Sequence, residues 1–504
     1  MNQMLIKNPI FWADVPDVDP IRVGNAYYMV STSMHSMPGC PIMKSEDLMH
    51  WEIVSYVYDT LEDHEAHRLE NGKNIYGQGS WAPSLRFHQG YFYACFSSND
   101  TGRFYVYRTH EITSGSWQRF VMNGLRHDPS LLFDDGRVYV IYGNGDIYIT
   151  ELTADATALQ PGGLHQRLLR TESEGILLRC EGCHAYKING YYYLLFIEWP
   201  KTGNGRRRQI CYRSRELLGP YERKVVLDDD CGYHNKGIAQ GGIFDTPNGK
   251  WYAMLFQDHD AVGRIPYLIP VTWEDDWPVF GTRGKVPKQF EVDLQLKSAK
   301  PLVISDEFEY EHNQLALNWQ WNHNPDPRLW SVTERPGFLR LTSGSLTTSV
   351  LQARNTLTQR TEGPACTGMI LLDTTSLRPG DHAGLVALQS HFGTVGVKVS
   401  ESGDKFIAMC VNGGNGQEKE LERVPFSGRN VRLKIQFNFE NSIDLATFHY
   451  SLDGLEWFPI GEMLKMRYTL DHFMGYRIGL FYYATRQIGG HADFDYFHYE
   501  KPRS

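Results

Sequence analysis

The chain has 504 residues, with 50 basic and 59 acidic side chains for a net charge of −9, and 13% of its residues are aromatic. That length exceeds one ordinary core and predicts two or three domains, while the acidic balance excludes bulk neutralisation of phosphates and hence a nucleic-acid or anionic-membrane partner. No run of about 18 apolar residues occurs, and Met1-Asn2-Gln3-Met4-Leu5-Ile6-Lys7 lacks the basic, apolar and small-residue order of a secretory signal, so a cytoplasmic location is expected.

From the N-terminus onward one pattern recurs, Gly-x-x-Tyr followed by an apolar run: Gly24 to Tyr27, Gly90 to Tyr93, Gly136 to Tyr139, Gly190 to Tyr193 and Gly249 to Tyr252. Asp135-Gly136, Asn189-Gly190 and Asn248-Gly249 are hairpin signals, because both residue types tolerate positive φ. The strands that follow, such as Tyr139-Val140-Ile141-Tyr142, are aromatic and β-branched. Five antiparallel units without helical periodicity between them predict a five-bladed β-propeller over residues 1–296.

Within the fourth unit, Cys180-Glu181-Gly182-Cys183-His184 spells a haem-attachment or redox pattern. The segment reads as a strand rather than a helix N-terminus, and the eight cysteines are scattered, so reduced thiols are expected. The run Arg206-Arg207-Arg208 reads as an exposed hairpin. A linker is expected over 297–304, and over 305–504 short strands such as Val431 to Ile435 and Tyr476 to Leu480 predict a jelly-roll, concanavalin-like β-sandwich. The whole chain is therefore expected to be all-β.

The innermost strand of each propeller blade lines the axis, so residues placed before each hairpin glycine converge. Counting back seven to nine positions gives Asp17, Trp81, Asp128, Glu181 and Gln240. Three carboxylates in one pocket push their pKa values apart. Glycosidic cleavage requires such a set, with one protonated acid for the leaving oxygen and one ionised partner to activate water. Asp14 and Asp19 compete with Asp17, and strand alternation does not choose between 17 and 19.

The segments around these acids resemble glycoside hydrolase family 43. Asp17-Val18-Asp19-Pro20-Ile21-Arg22-Val23-Gly24 is similar to the family's general-base segment, His127-Asp128-Pro129-Ser130-Leu131 to the segment whose Asp tunes and orients the acid, and Glu181 through Tyr192 to the general-acid segment. The resemblance implies Asp17 as base, Glu181 as acid and Asp128 as modulator. It also implies substrate contacts from Trp81 in a Trp-Ala-Pro turn, from Arg264, from His35 in a pocket-lining loop and from Gln240. Gln240 stands where many relatives carry a histidine that can hold an axial calcium. No cofactor is required on this reading, and His259 or the Asp306/Asp495 pair are candidate positions for a structural calcium. The implied activity is inverting, exo-acting hydrolysis of terminal α-L-arabinofuranosyl or β-D-xylosyl residues from hemicellulose-derived oligosaccharides. An endo-arabinanase or a non-catalytic carbohydrate-binding propeller are the alternatives.

Overall fold

The computed structural model describes residues 4–413 and 417–502. Five four-stranded antiparallel sheets form the propeller. Their innermost strands are Asp19–Val23, Ser80–His88, Ser130–Asp134, Ile176–Ile188 and Ile243–Asp245, here called the inner strands of blades I to V. Inner strands of blades I to IV pack on one another in order, the outermost strands of blades IV and V, Glu222–Leu227 and Trp277–Phe280, meet, and the inner strand of blade V returns to that of blade I, which closes the ring. The hairpin glycines 24, 90, 136, 190 and 249 all have φ between 60° and 82°. A Cβ would meet nothing within 4 Å at any of them, so the dihedral and not space demands glycine. Gln89, Asp135 and Asn189 are left-handed as well, which makes three of these hairpins two-residue turns with both φ values positive.

Two devices fasten the ring. Met4–Lys7 pairs antiparallel with Gln289–Val292, joining the start of the propeller to its end. Arg22 of blade I meets Asp245 of blade V at 2.7 Å.

Two eight-stranded antiparallel sheets make the C-terminal sandwich. Their facing sides bury Ile370, Leu433, Ile435, Phe437, Leu385, Val397 and Leu480 in a cluster that runs without a break into Leu255, Ile265 and Tyr193 of the propeller. The propeller also donates a strand. Ser36–Met37 pairs with Gln320–Asn322 and forms one edge of a sandwich sheet. The segment expected as a linker is tied down on both sides. Leu302 and Val303 are buried in the blade I core, and Ile304 exchanges hydrogen bonds of 3.0 Å with the Gln359 side chain.

Candidate active site

A left-handed residue marks each inner strand: Asp17 at φ 52°, Asp128 at 48° and Gln240 at 62° precede theirs, and Ala82 at 29° and Gly182 at 67° lie within theirs, where the register shifts. Non-glycine residues rarely adopt this conformation, and it concentrates at functional sites. The kink breaks strand alternation and brings the residue at it, or the one before it, to the axis. Asp17, Trp81, Asp128, Glu181 and Gln240 accordingly line one cavity of about 280 Å³.

Asp17 is held from three sides. Arg264 Nη1 donates to both its oxygens at 2.8 and 2.9 Å, Thr32 Oγ1 donates at 2.7 Å, and Gln240 Nε2 donates at 3.0 Å. Charge-assisted contacts of this kind fix a carboxylate's orientation. Asp128 accepts from the backbone N–H of Gly182 at 2.8 Å, so it grips the turn that carries Glu181. Burial pushes Asp128 up to about 6, an effect opposed by the charge of His127 and reinforced by Glu181 and Asp17. His127 in turn is raised to about 9 by the Asp128 charge, against burial and with the help of its 3.1 Å contact to Glu181 Oε2. Asn144 Nδ2 donates to the same Glu181 oxygen at 2.6 Å. Asn144 was not picked out by the sequence pattern, because no hairpin count reaches it, and His127, nine residues before Gly136, lay within the count but was passed over for its neighbour Asp128.

A second wall comes from the sandwich. Tyr468, Leu470 and Phe473 line the cavity. Phe473 stacks on Trp81 at 5.0 Å and lies under the Arg264 guanidinium, also at 5.0 Å. Burial pushes Tyr468 up to about 12. On the far side, blades IV and V contribute Leu178, Ile197, Arg207, Lys236, Asp258 and Asp260.

The structure corrects two expectations. His35 does not reach the cavity; at 3% exposure it is enclosed at the domain interface, with ring centroids of Tyr76, His323 and His472 at 4.7, 5.1 and 5.4 Å. Its loop serves instead as the edge strand of the sandwich. The arginine run is not an exposed hairpin. Arg206 pairs with Asp228 at 2.6 Å and Arg208 with Glu198 at 2.6 Å, whereas Arg207 points the other way, into the cavity. Alternation along an extended chain was the signal that could have separated 207 from its neighbours.

Asp17 and Asp19 separate by environment. Asp19 is fully buried below the cavity, where Arg86 at 2.6 Å and the Leu85 N–H at 2.8 Å bind it. Burial alone would raise it, but Arg86 and His184 bring it down to about 2. Cys180 and Cys183 are free and buried in a strand.

Among the described residues, two groups could hold a metal by geometry, His127 with Asp128 and Glu181, and His64 with His67 and Asp100. Neither includes His259, Asp306 or Asp495. His259 is stacked on Tyr233 at 3.9 Å and bonded to Gln257 Oε1 at 2.8 Å. The Asp306 oxygens accept from Phe308 N at 2.8 Å, Tyr310 Oη and Trp319 Nε1 at 2.8 Å. These donor sets do not fit calcium, which wants several free oxygens.

Three carboxylates converging from different blades on a cavity walled by aromatic rings and fixed polar donors define a glycoside hydrolase. The comparisons agree. A family model described as glycosyl hydrolases family 43 matches residues 6–278, and one described as the beta xylosidase C-terminal concanavalin A-like domain matches 305–500. A putative beta-xylosidase of Xylanibacter ruminicola is 32% identical over 92% of this chain and 84% of its own. A non-reducing end alpha-L-arabinofuranosidase of Bacteroides ovatus is 30% identical over 67% of this chain and 65% of its own. Among solved structures, a bifunctional GH43-CE protein of Bacteroides eggerthii is 46% identical with a TM-score of 0.93; the alignment covers all of this chain and 64% of that one. The chain belongs to glycosyl hydrolases family 43.

Proposed function

We propose that the protein removes single terminal pentosyl units, α-L-arabinofuranosyl or β-D-xylosyl, from hemicellulose-derived oligosaccharides in one displacement with inversion. The observation that carries this reading is the closure of the catalytic cavity by Tyr468, Leu470 and Phe473 from the second domain. A chain interior would have to pass through that wall, whereas a chain end enters from the open side. Relatives named beta-xylosidase and alpha-L-arabinofuranosidase support the sugar class.

On this reading Glu181 donates its proton to the leaving oxygen while Asp17, on the opposite side of the axis in blade I, takes a proton from the water that attacks the anomeric carbon. Arg264, Gln240 and Thr32 aim the base. Asp128 holds the turn under the acid and supplies a like charge beside it. Proton NMR during the first turnovers tests the mechanism: the first-formed sugar is expected to have the inverted anomeric configuration. Transfer to methanol with retained configuration would sink both the single displacement and the role of Asp17.

A further inference from the structure

We infer that His64, His67 and Asp100 form a binding site for a divalent transition-metal ion of the zinc class, which braces the connection between blades I and II where it meets the sandwich. None of the three lines the catalytic cavity. The inference is independent of the glycosidase reading and of the calcium positions considered above.

Local structure brings the two histidines together. The connection leaves blade I after Glu52–Tyr58 and enters blade II at Ser80–His88. Within it the chain makes one helix-like turn, with Arg68 N donating to the His64 carbonyl at 3.1 Å, and residues three apart on such a turn share a face. The rings of His64 and His67 meet edge to face with centroids 4.3 Å apart. Asp100 comes from the hairpin between Tyr91–Ser98 and Arg103–Thr109 of blade II. Its Oδ1 accepts from Gly79 N at 3.2 Å and from the Ser98 hydroxyl. That leaves Oδ2 to the histidines, with His67 Nε2 at 2.7 Å and His64 Nε2 at 3.7 Å. The ligand atoms of all three residues lie within 4.8 Å of one another.

A separation of 3.7 Å is too long for a hydrogen bond but close to what two ligands of one ion require. Ligands about 2.0–2.1 Å from a tetrahedral zinc stand roughly 3.3 Å apart, so a shift of about half an ångström in each contact seats the set on one ion. The ion then takes the place of the proton that His67 and Asp100 share. Two imidazoles and one carboxylate suit zinc and its transition-metal neighbours, whereas calcium takes oxygen ligands. The surroundings fit such a site. His67 is fully buried, and its carbonyl accepts from Asn324 N of the sandwich at 2.9 Å. The His64 side chain is half exposed, which leaves a path for the ion and room for a water as fourth ligand. The same connection carries Ile75, whose N–H donates to His323 Nε2 at 2.9 Å, and Tyr76, whose ring stacks on His472 at 3.9 Å. An ion at His64, His67 and Asp100 therefore stiffens a segment that the sandwich grips from the other side.

The test uses the full chain, stripped of metal with a chelator and titrated with zinc chloride while calorimetry follows both binding and melting. Because His127, Asp128 and Glu181 could also gather a metal, the titration is repeated in Glu181→Gln, which disables that second group. Zinc is expected to bind and to raise the melting temperature equally in the unmodified chain and in Glu181→Gln. His64→Ala is expected to weaken that binding at least about tenfold, since even partners behind the ligands matter by that factor, and to leave the melting of the metal-free protein unchanged because its side chain is exposed. Asp100→Asn is expected to weaken zinc binding as well and to lower the metal-free melting temperature. Cobalt(II) in place of zinc reports the geometry, with the visible bands of a tetrahedral site expected in Glu181→Gln and absent in His64→Ala. No zinc binding, binding that His64→Ala leaves untouched, or binding that disappears in Glu181→Gln would each overturn the inference.

Discussion

Asp17 and Asp19 are two residues apart and both sit on the propeller axis, yet they occupy different chemical worlds. Asp17 is the left-handed residue that opens blade I, and its carboxylate faces a cavity. Asp19 lies one layer down with no exposure at all, in a network that runs from Arg86 of blade II through the Ser130 hydroxyl of blade III, at 2.8 Å, to the Ala185 N–H of blade IV, at 3.0 Å. The upper layer keeps its polar atoms available for a substrate. The lower layer spends them on stitching blades together. Asp14, three residues before the base, shows a third outcome: its oxygens accept from Arg264 N at 2.7 Å and Gly475 N at 2.9 Å, which bolts blade V to the sandwich.

The sharpest way to break this contrast is at the acids themselves. Asp17→Asn is expected to lower kcat by about 10²–10⁴-fold on every substrate, and Glu181→Gln by a similar factor on oligosaccharides but far less on activated aryl glycosides, whose leaving groups need no proton. Rate measurements on both substrate classes decide it, and equal losses for Glu181→Gln would remove its assignment as acid. In the lower layer the effect should move from rate to stability. Asp19→Asn strands the buried Arg86 charge and is expected to cost about 3–5 kcal/mol of unfolding free energy. Urea titration that found Asp19→Asn no less stable than Asp17→Asn would erase the distinction between the layers.

A smaller effect is expected from the histidines at the domain interface. His35, His323 and His472 are buried, with Arg477 facing His35 and His67 facing His323, and burial holds His35 down at about 3 and the other two well below the usual range. Below about pH 6.5 the unfolded chain takes up protons that the folded chain refuses, so stability present at neutral pH is lost as pH falls, by up to about 1.4 kcal/mol per histidine per unit. The loss should appear first where this cluster adjoins Phe473 and the pocket wall. His472→Phe, which keeps a ring against Tyr76 at the present 3.9 Å stack, is expected to flatten the slope of melting temperature between pH 5 and 6.5; an unchanged slope would show that the cluster is not the source.

Much of this was legible in the sequence because the propeller repeats itself. The hairpin glycines mark equivalent points in five sheets, and a count of seven to nine residues back from them reached all five axial residues. Strand alternation could not choose between Asp17 and Asp19, since it assumes an unbroken strand and the left-handed residue at 17 breaks it. It also could not see across the chain. Tyr468, Leu470 and Phe473 reach the cavity from more than 200 residues beyond Arg264, and no local pattern distinguishes a loop that covers a pocket from one that covers water. His35 failed for the same reason, its surroundings being His323 and His472 of the other domain. Arg207 was missed because three consecutive cations look solvated until their separate partners are known.

The strand Ser36–Met37 has a consequence for how the molecule can be made. A sheet edge with unpaired backbone groups is a template for aggregation, and Gln320–Asn322 is such an edge until the propeller covers it. During synthesis the covering strand emerges almost 300 residues before the edge it protects, so the sandwich is born next to its own cap. Expressed from residue 305 alone, the sandwich would have to find that cap in another molecule.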